Sequence, residues 1–203
     1  CHKRVDRETA ESFREDIRRS KAILEDVGGA AVKGYRAATF SMNEDTTPFA
    51  WRVLEEEGFT YSSSIYPVKR DFYSNAEAPR GPYKPVGADK LVEIPISTVR
   101  VGKRNLPAGG GGYFRFLPYG LSRAAINRVN KTENVPTVFY IHPWEVDPEQ
   151  PRMAGASTKS RFRHYLNLHK TGDRLRRLSR AWGRMDEVFA PVLSGAMSHD
   201  RAA

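Results

Sequence analysis

Val138-Phe-Tyr-Ile-His142-Pro-Trp-Glu145 is the stretch on which the interpretation of this chain turns. A run of β-branched and aromatic residues leads to a histidine, and a proline follows at once. These residue types are typical of a buried β-strand, which the proline would end. The strand would bring His142 to its carboxyl end, where α/β sheets and barrels gather their ligands. His142 is therefore a candidate functional residue, and the alternative is a structural histidine at the end of a strand.

Helical and strand patterns alternate on the amino-terminal side of this stretch. The sequence predicts a helix over 9–27 capped by Thr9, a strand over 32–40, a helix from 47 to 58 and a strand over 59–66. Residues 67–90 lack a clean period and predict a long surface excursion. Further on, we expect a strand over 91–101 interrupted by Pro95, a helix over 119–129 and a strand over 135–142. Alternation with short connections is typical of a parallel α/β arrangement.

Composition limits the class of protein. A chain of 203 residues suits one domain, or one domain with an appendage. The single cysteine excludes an internal disulfide and any multi-cysteine metal site. No apolar run reaches the roughly 20 residues that a membrane-spanning helix needs. Residue 1 is Cys and no leader is recognisable, so we expect a fragment whose upstream part is missing. The compartment stays open.

The positive charge is concentrated near the carboxyl end. The formal net charge is +9, and residues 159–184 hold nine lysines or arginines against one acid, Asp173, a net +8. An amphipathic helix is predicted with its apolar face formed by Leu175, Leu178, Trp182, Met185 and Phe189 and its basic residues at Arg174, Arg176, Arg177 and Arg180. The charge indicates either a solvated helix face or a surface for an anionic glycan or membrane. Nucleic-acid binding has only the charge in its favour and is not expected.

Several polar motifs allow more than one interpretation. The glycine run 109–112 lacks the spacing of phosphate-binding loops, so we predict a turn that lets backbones approach closely. Ser62-Ser63-Ser64 lacks a nucleophile elbow and is interpreted as structural hydrogen-bonding groups. Arg36, within a strand-like segment, needs a distant carboxylate unless it lies in water at a strand edge. His164 and His169 are five residues apart among arginines and are not predicted to bind metal.

Six segments, taken in order, resemble the polysaccharide deacetylases of carbohydrate esterase family four, also called NodB-like, and their exopolysaccharide- and exosortase-associated subgroup in particular. They extend over about 170 residues, and their sequences are His2-Lys-Arg-Val5 leading into Phe13-Arg-Glu-Asp-Ile-Arg-Arg-Ser-Lys21, Gly34-Tyr-Arg-Ala-Ala-Thr-Phe-Ser41, Glu57-Gly-Phe-Thr-Tyr-Ser-Ser-Ser-Ile-Tyr-Pro67, Gly110-Gly-Gly-Tyr-Phe-Arg115, Tyr140-Ile-His-Pro-Trp-Glu145 and Ser160-Arg-Phe-Arg-His-Tyr165. Any one segment is a weak signal, whereas the ordered set is quite specific.

The resemblance implies a fold and a division of the chain. The fold would be α/β, a partial distorted (β/α) barrel of the polysaccharide deacetylase type that lacks its first strands. Residues 1–150 would form the carboxyl-terminal part of this barrel, with 67–118 as an insertion-like excursion. Residues 151–203 would form a basic helical extension.

The resemblance also implies a chemistry, which is metal-assisted removal of N-acetyl groups from amino sugars of a bacterial polysaccharide. His142 would be the general acid, and Arg36 would hold a base carboxylate that is absent from this chain. His2 would be one ligand of a divalent metal, usually zinc, with an aspartate and a first histidine expected upstream. Thr39 would supply the oxyanion N–H and Ile141 would line the acetyl pocket. The substrate contacts would be Trp144, Glu145, Tyr66 and Tyr113.

Two departures from the family pattern affect these expectations. Ala38 replaces a proline, which predicts a less rigid loop, and Ser62 replaces an aspartate that would orient the acid histidine. Without its upstream residues the 203-residue chain is expected to be inactive. The alternative function is a catalytically lapsed barrel that binds an anionic glycan or membrane through its basic tail.

Overall fold

The structure is a computed structural model that describes residues 2–69, 75–178 and 182–195. It is a mixed α/β fold, and its described residues form two compact units. One comprises 1–96 with the described part of 184–203, and the other comprises 97–183. The second unit includes residues on both sides of position 150, where the sequence predicts a domain boundary. Among the described residues, no helix has both the length and the apolar character needed to cross a membrane.

The main elements described in the first unit are a three-stranded parallel sheet, a helix of 19 residues and a helix of 8 residues. Helix α1 (Ala10–Gly28) begins at Thr9, whose hydroxyl accepts a hydrogen bond from the Ser12 N–H at 3.2 Å. Strands β1 (Gly34–Tyr35), β2 (Tyr61–Ser62) and β3 (Val92–Glu93) lie in the order β1-β2-β3, and helix α2 (Phe49–Glu56) precedes β2. The predicted alternation of helix and parallel strand is therefore confirmed in this unit.

Aromatic side chains hold the helices of this unit to the sheet. The ring of Phe13 on α1 packs edge-on against Tyr35 at 5.7 Å and against Phe49 at 6.2 Å between centroids. Trp51 and Leu54 on α2 are fully buried in the same core. The predicted apolar faces of α1 and α2 thus form the core, although Leu24 and Val27 of α1 remain exposed.

In its described residues the second unit contains an antiparallel hairpin and four α-helices. Strands β4 (Thr98–Val101) and β5 (Arg104–Pro107) pair with each other. Helices α3 (Gly111–Phe116) and α4 (Tyr119–Asn127) follow, and α4 continues into a π-helical turn (Arg128–Thr132). A 3₁₀ turn (Pro143–Val146) precedes α5 (Thr158–Tyr165) and α6 (Leu168–Leu178). Beyond it, α7 (Met185–Val188) and α8 (Ala190–Leu193) belong to the first unit.

Several predicted strands are shorter than expected. Segments 32–40 and 59–66 form regular strand only at β1 and β2, and segment 91–101 divides into β3 and β4 around Pro95. The predicted strand 135–142 is wrong, because only Tyr140 makes a β-bridge, with Gly110. Neighbouring N–H groups bond side chains instead: Thr137 to Asn130 Oδ1 and Val138 to Ser97 Oγ, both at 2.8 Å. A ladder cannot form where side chains take its hydrogen bonds.

Two larger predictions also need correction. The described residues show a three-stranded sheet and a hairpin, and they do not show a closed barrel. The single amphipathic helix running to Phe189 is wrong, because α6 ends at Leu178, residues 182–184 are not helical and α7 begins at Met185. Gly183 lies in this break, and glycine is a poor helix former. Arg180 lies outside the described residues.

A buried carboxylate lies at the carboxyl edge of the parallel sheet. Glu93, the last residue of β3, is fully buried. Its Oε1 accepts hydrogen bonds from the backbone N–H groups of Ser64 and Ile65 at 2.7 and 2.9 Å, and its Oε2 accepts one from Trp51 Nε1 at 3.0 Å. Burial raises the pKa of the Glu93 carboxyl, and these donors oppose the shift without cancelling it. Glu93 thereby fixes the segment that follows β2.

The raised pKa of Glu93 predicts a specific pH dependence of stability. The folded state binds this proton more tightly than the unfolded state, whose carboxyl titrates near 4.5. The contribution of the Glu93 proton to the free energy of unfolding is complete below pH 4.5. It is lost as the pH rises through the folded-state pKa of Glu93, at up to about 1.4 kcal/mol per pH unit. We expect the free energy of unfolding of the wild type, relative to Glu93→Gln, to fall between pH 4.5 and neutrality.

Denaturant unfolding at several pH values checks this prediction. Glu55→Gln is the matched control, because burial raises the pKa of Glu55 but the N–H groups of residues 89–91 outweigh it and hold that pKa below its usual value. The stability of the wild type relative to this control should instead grow as the pH rises. A wild-type stability relative to Glu93→Gln that stays constant or grows with pH contradicts the assignment.

Candidate active site

His142 is held between two side chains of its own segment. Its Nδ1 lies 3.0 Å from Glu145 Oε1 and its Nε2 lies 2.5 Å from the Tyr140 hydroxyl. The 3₁₀ turn produces this geometry, since it brings the side chain of Glu145, three residues further along the chain, back to His142. The Glu145 carboxylate also accepts a hydrogen bond from the His142 backbone N–H at 3.3 Å. The His142 side chain keeps 40% of its surface exposed. It is therefore fixed in orientation and still open to a ligand.

Glu145 is part of a buried ion pair. Its side chain is 1% exposed, and its Oε2 accepts a hydrogen bond from Arg115 Nε at 2.8 Å. Arg115 on α3 is 4% exposed and also donates from Nη1 to the carbonyl oxygens of His164 and Leu166, at 2.7 and 3.1 Å. The sequence assigned Glu145 to substrate contact, but both of its oxygens bond protein groups. Glu145 therefore binds and orients His142.

Trp144 lies between two imidazole rings. The His142 ring stacks on one face at 4.6 Å and 17°, and the His164 ring stacks on the other at 4.6 Å and 20°. His164 Nε2 lies 2.7 Å from Gln150 Oε1. Because both faces of Trp144 are covered, only its edge is open to a ligand. The predicted substrate contact of Trp144 could therefore be made by this edge and not by a ring face.

The glycine run positions the segment that carries His142. Tyr140 N donates to the Gly109 carbonyl at 2.7 Å, and Gly111 N donates to the Tyr140 carbonyl at 2.8 Å. A Cβ on Gly110 would lie 2.2 Å from the Tyr140 carbonyl oxygen, and Gly110 has φ +100°. Only glycine allows this approach, so the predicted close approach of backbones is confirmed.

The candidate residues of the first unit lie at the carboxyl edge of the parallel sheet. Arg36 follows β1 directly, and it donates from Nε to the Ser63 carbonyl at 2.9 Å and from Nη2 to the Ser63 hydroxyl at 2.8 Å. Ser62 Oγ donates to Ser64 Oγ at 2.8 Å, and Ser64 Oγ accepts from Ala37 N at 2.9 Å. The structural interpretation of the three serines is therefore confirmed, and they fix Arg36.

Thr39 occupies an unusual backbone conformation. Its φ of 54° is in the left-handed region, which β-branched residues rarely adopt, and Phe40 follows at 52°. Arg4 Nη1 donates to the Thr39 hydroxyl at 3.1 Å, and Ser41 Oγ bridges the loop to the Val5 N–H at 2.9 Å. Strain of this kind clusters at functional sites. The loop that starts at Ala38 is thus held by side chains where the family pattern has proline.

The remaining predicted residues lie in varied surroundings. His2 is exposed, Ile141 is half-buried and Tyr113 on α3 is 37% exposed. Tyr66 is buried, with its ring 5.5 Å from that of Phe40. The structure brings Arg36, Thr39 and Tyr66 into the first unit with His2. It brings His142, Trp144 and Glu145 together in the second, with Ile141 and Tyr113 in the same unit.

The sequence also predicted a free basic face, which the structure partly uses internally. Arg174 Nη1 donates to the carbonyl oxygens of Phe114, Arg115 and Leu117 at 2.8, 3.1 and 3.1 Å. Arg177 stacks over the Tyr119 ring at 4.5 Å, and Arg176 pairs with Asp173. These arginines support α3 and α4 or a local acid. Exposed cations remain on α5, at Lys159, Arg161 and Arg163.

Three residues of the candidate site were not predicted from the sequence. Tyr140 and Arg115 lie within motifs that resemble the family, so a signal existed, but neither was assigned a role there. For His164 the sequence predicts only that it does not bind metal, and its stacking on Trp144 has no sequence signature. Long-range partners such as Arg115 and Glu145 follow from tertiary packing rather than from spacing.

The described residues do not by themselves form a metal centre. No group of three or more His, Cys, Asp or Glu side chains among them could hold an ion. Of the predicted ligands, His2 is present, and one imidazole does not make a site for zinc. The predicted metal is thus not matched by a donor set in this part of the protein.

These features define a class of protein, an α/β protein with an oriented, accessible histidine backed by a buried carboxylate. A family model described as a domain of unknown function, DUF3473, matches residues 63–190. The chain therefore belongs to the DUF3473 family, and the matched segment includes Arg115, Tyr140, His142 and Glu145. No curated protein and no solved structure matches the chain significantly.

The glycine packing predicts an asymmetric response to alanine substitution. Gly110→Ala should lower the free energy of unfolding by roughly 2 kcal/mol or more, because a Cβ there meets the Tyr140 carbonyl in a backbone conformation reserved for glycine. Gly120→Ala, on α4 with open space around its Cβ, should raise it by up to about 1 kcal/mol. Denaturant unfolding of both variants checks this, and equal effects would contradict the packing.

The carbonyl contacts of Arg174 predict that this residue is structural. Arg174→Met should cost about 2–3 kcal/mol of stability, because three carbonyl oxygens lose a charged donor. Arg161→Met, at an exposed position on α5, should change stability by no more than about 0.5 kcal/mol. Thermal or denaturant unfolding measures both. If the stability of Arg174→Met equals that of the wild type, Arg174 is not a structural residue.

Proposed function

We propose that the protein is a hydrolase of carbon–nitrogen, non-peptide bonds that removes N-acetyl groups from the amino sugars of a bacterial polysaccharide. The ordered motifs from His2 to Tyr165 support this function. Membership in the DUF3473 family supports it too, since this domain is associated with polysaccharide deacetylases. The proposal includes the distorted (β/α) barrel, of which the parallel strands β1, β2 and β3 would be a part.

The observation that carries the proposal is the setting of His142. Amide hydrolysis needs an acid that protonates the departing amine, and imidazole is the side chain best suited to this near neutral pH. His142 is partly exposed, and its Nδ1 is bound to a buried carboxylate. Its Nε2 is therefore the atom that would exchange a proton with a ligand, and this ligand would take the position of the Tyr140 hydroxyl.

The other roles follow from the resemblance and agree with the local structure. Arg36 would hold the base carboxylate, and its guanidinium is fixed by Ser63. The Thr39 N–H would stabilise the oxyanion, from a loop in a strained conformation. Ile141, adjacent to His142, would line the pocket for the acetyl methyl group.

A divalent metal, zinc in most relatives, belongs to the proposal, although the roles of His142 and Glu145 do not depend on it. It would polarise the acetyl carbonyl and activate water when bound. Because the described residues offer His2 without a full ligand set, the other ligands would have to come from residues outside those described.

The alternative, a lapsed barrel that binds an anionic glycan or membrane through its tail, has less support. Arg174 and Arg177 are engaged with α3 and α4, and Arg176 with Asp173. The buried ion pair that orients His142 also favours an active site over a lapsed one. We therefore favour the enzymatic function.

Acetate release from N-acetylglucosamine polymers tests the proposal on the intact protein. His142→Ala should reduce turnover by about 10²–10⁴-fold, the usual contribution of a general acid. The matched control is His169→Ala, which removes an exposed imidazole on α6 and should leave turnover unchanged. Equal turnover in wild type and His142→Ala would remove His142 from the reaction. Absence of acetate release by the wild type with zinc present would overturn the proposed function.

A further inference from the structure

The Glu145 carboxylate selects which nitrogen of His142 carries the proton. An ionised carboxylate can only accept hydrogen bonds, and the other oxygen of Glu145 accepts one from the buried Arg115 guanidinium. The Nδ1 that faces Glu145 Oε1 must therefore be protonated. In the neutral ring Nε2 then bears the lone pair, and the Tyr140 hydroxyl donates to it. The neighbouring groups thus specify one tautomer.

The same contacts make His142 a directional proton donor. When the ring takes up a second proton, that proton lies on Nε2, while Nδ1–H stays bonded to Glu145. The added proton can leave only from Nε2, on the side away from the buried pair. Arg115 binds the other oxygen of Glu145 through Nε and donates from Nη1 to the carbonyl oxygens of His164 and Leu166. The imidazole therefore cannot rotate without breaking a buried, charged hydrogen bond.

We propose that Arg115 and Glu145 are positioning residues that hold His142 in its Nδ1–H tautomer, so that Nε2 is the proton-transferring atom. The catalytic part of this inference rests on the proposed function. Relatives are expected to orient the acid histidine with an aspartate at the position of Ser62, yet the Ser62 hydroxyl bonds Ser64 here. The Arg115–Glu145 pair supplies a carboxylate from the segment of His142 itself.

Replacing Glu145 by glutamine should reverse the tautomer. An amide offers one oxygen to three donors, the Arg115 Nε–H and the Nδ1–H and backbone N–H of His142, whose backbone bond is the longest at 3.3 Å. Arginine is always charged and keeps the oxygen. The amide NH₂ then faces Nδ1, which becomes an acceptor, and the ring proton moves to Nε2. Glu149→Gln makes the same chemical change at an exposed residue that does not bond His142, and it should leave the tautomer unchanged.

Nitrogen-15 NMR of the imidazole rings tests this without any turnover. Spectra recorded at about pH 8.5, where ordinary imidazoles are neutral, show which nitrogen is protonated. The His142 signals are those that disappear in His142→Gln. We expect Nδ1–H in wild type and Glu149→Gln, and Nε2–H in Glu145→Gln. An Nε2–H tautomer in the wild type overturns the inference even if Glu145→Gln fails to fold. An unchanged tautomer in a folded Glu145→Gln also overturns it.

Kinetics of the intact protein then test the catalytic part separately. Glu145→Gln should lower kcat by up to about 10⁴-fold, as a wrong tautomer does in a catalytic triad, with little change in KM because Glu145 is buried. A reversed tautomer with wild-type kcat would overturn the positioning role. If the wild type releases no acetate, the proposed function fails, whereas the tautomer assignment is still decided by NMR.

Discussion

A buried carboxylate paired with a buried guanidinium is the constraint on which the arrangement of the second unit depends. Removing Glu145 and Arg115 from water costs several kcal/mol per ion, and this cost is offset by their mutual bond, by the hydrogen bonds from His142 to Glu145 and by the further acceptors of Arg115. One guanidinium thereby joins α3, the 3₁₀ turn after His142 and the carbonyl groups at the end of α5. These segments are far apart in sequence, so the pair determines their tertiary arrangement. His142 takes its orientation from this pair.

The first unit uses a carboxylate in a related way. Glu93 is buried at the end of β3 and accepts hydrogen bonds from the backbone N–H groups of Ser64 and Ile65, and the adjacent Ser63 binds the Arg36 guanidinium. It has no cation partner among its hydrogen bonds to Trp51, Ser64 and Ile65, and burial raises its pKa accordingly. Each unit thus buries one acid close to a candidate functional side chain. Polar groups are costly to bury, which makes these two positions informative about where function lies.

Local sequence signals predicted the parts of the fold that local physics decides. The Thr9 cap, the apolar faces of α1 and α2, the order of helix and strand and the close approach at Gly110 all follow from a few neighbouring residues. The extent of the strands could not be predicted, because side chains such as Ser97 and Asn130 take hydrogen bonds that a ladder would use. Of the candidate site, the sequence predicted His142 as a candidate residue from its position after an apolar run. Arg115 was not found, because it lies 30 residues before Glu145 and only the tertiary fold brings the two together.

We propose that Nε2 of His142 delivers a proton to the nitrogen of a sugar amide. A crystal structure of the intact protein with an N-acetylglucosamine oligosaccharide tests this most directly. The account predicts the amide nitrogen of one sugar within hydrogen-bonding distance of His142 Nε2, with the Tyr140 hydroxyl displaced from that atom and Nδ1 still bound to Glu145. A sugar bound elsewhere, with Tyr140 and His142 still joined, would contradict it.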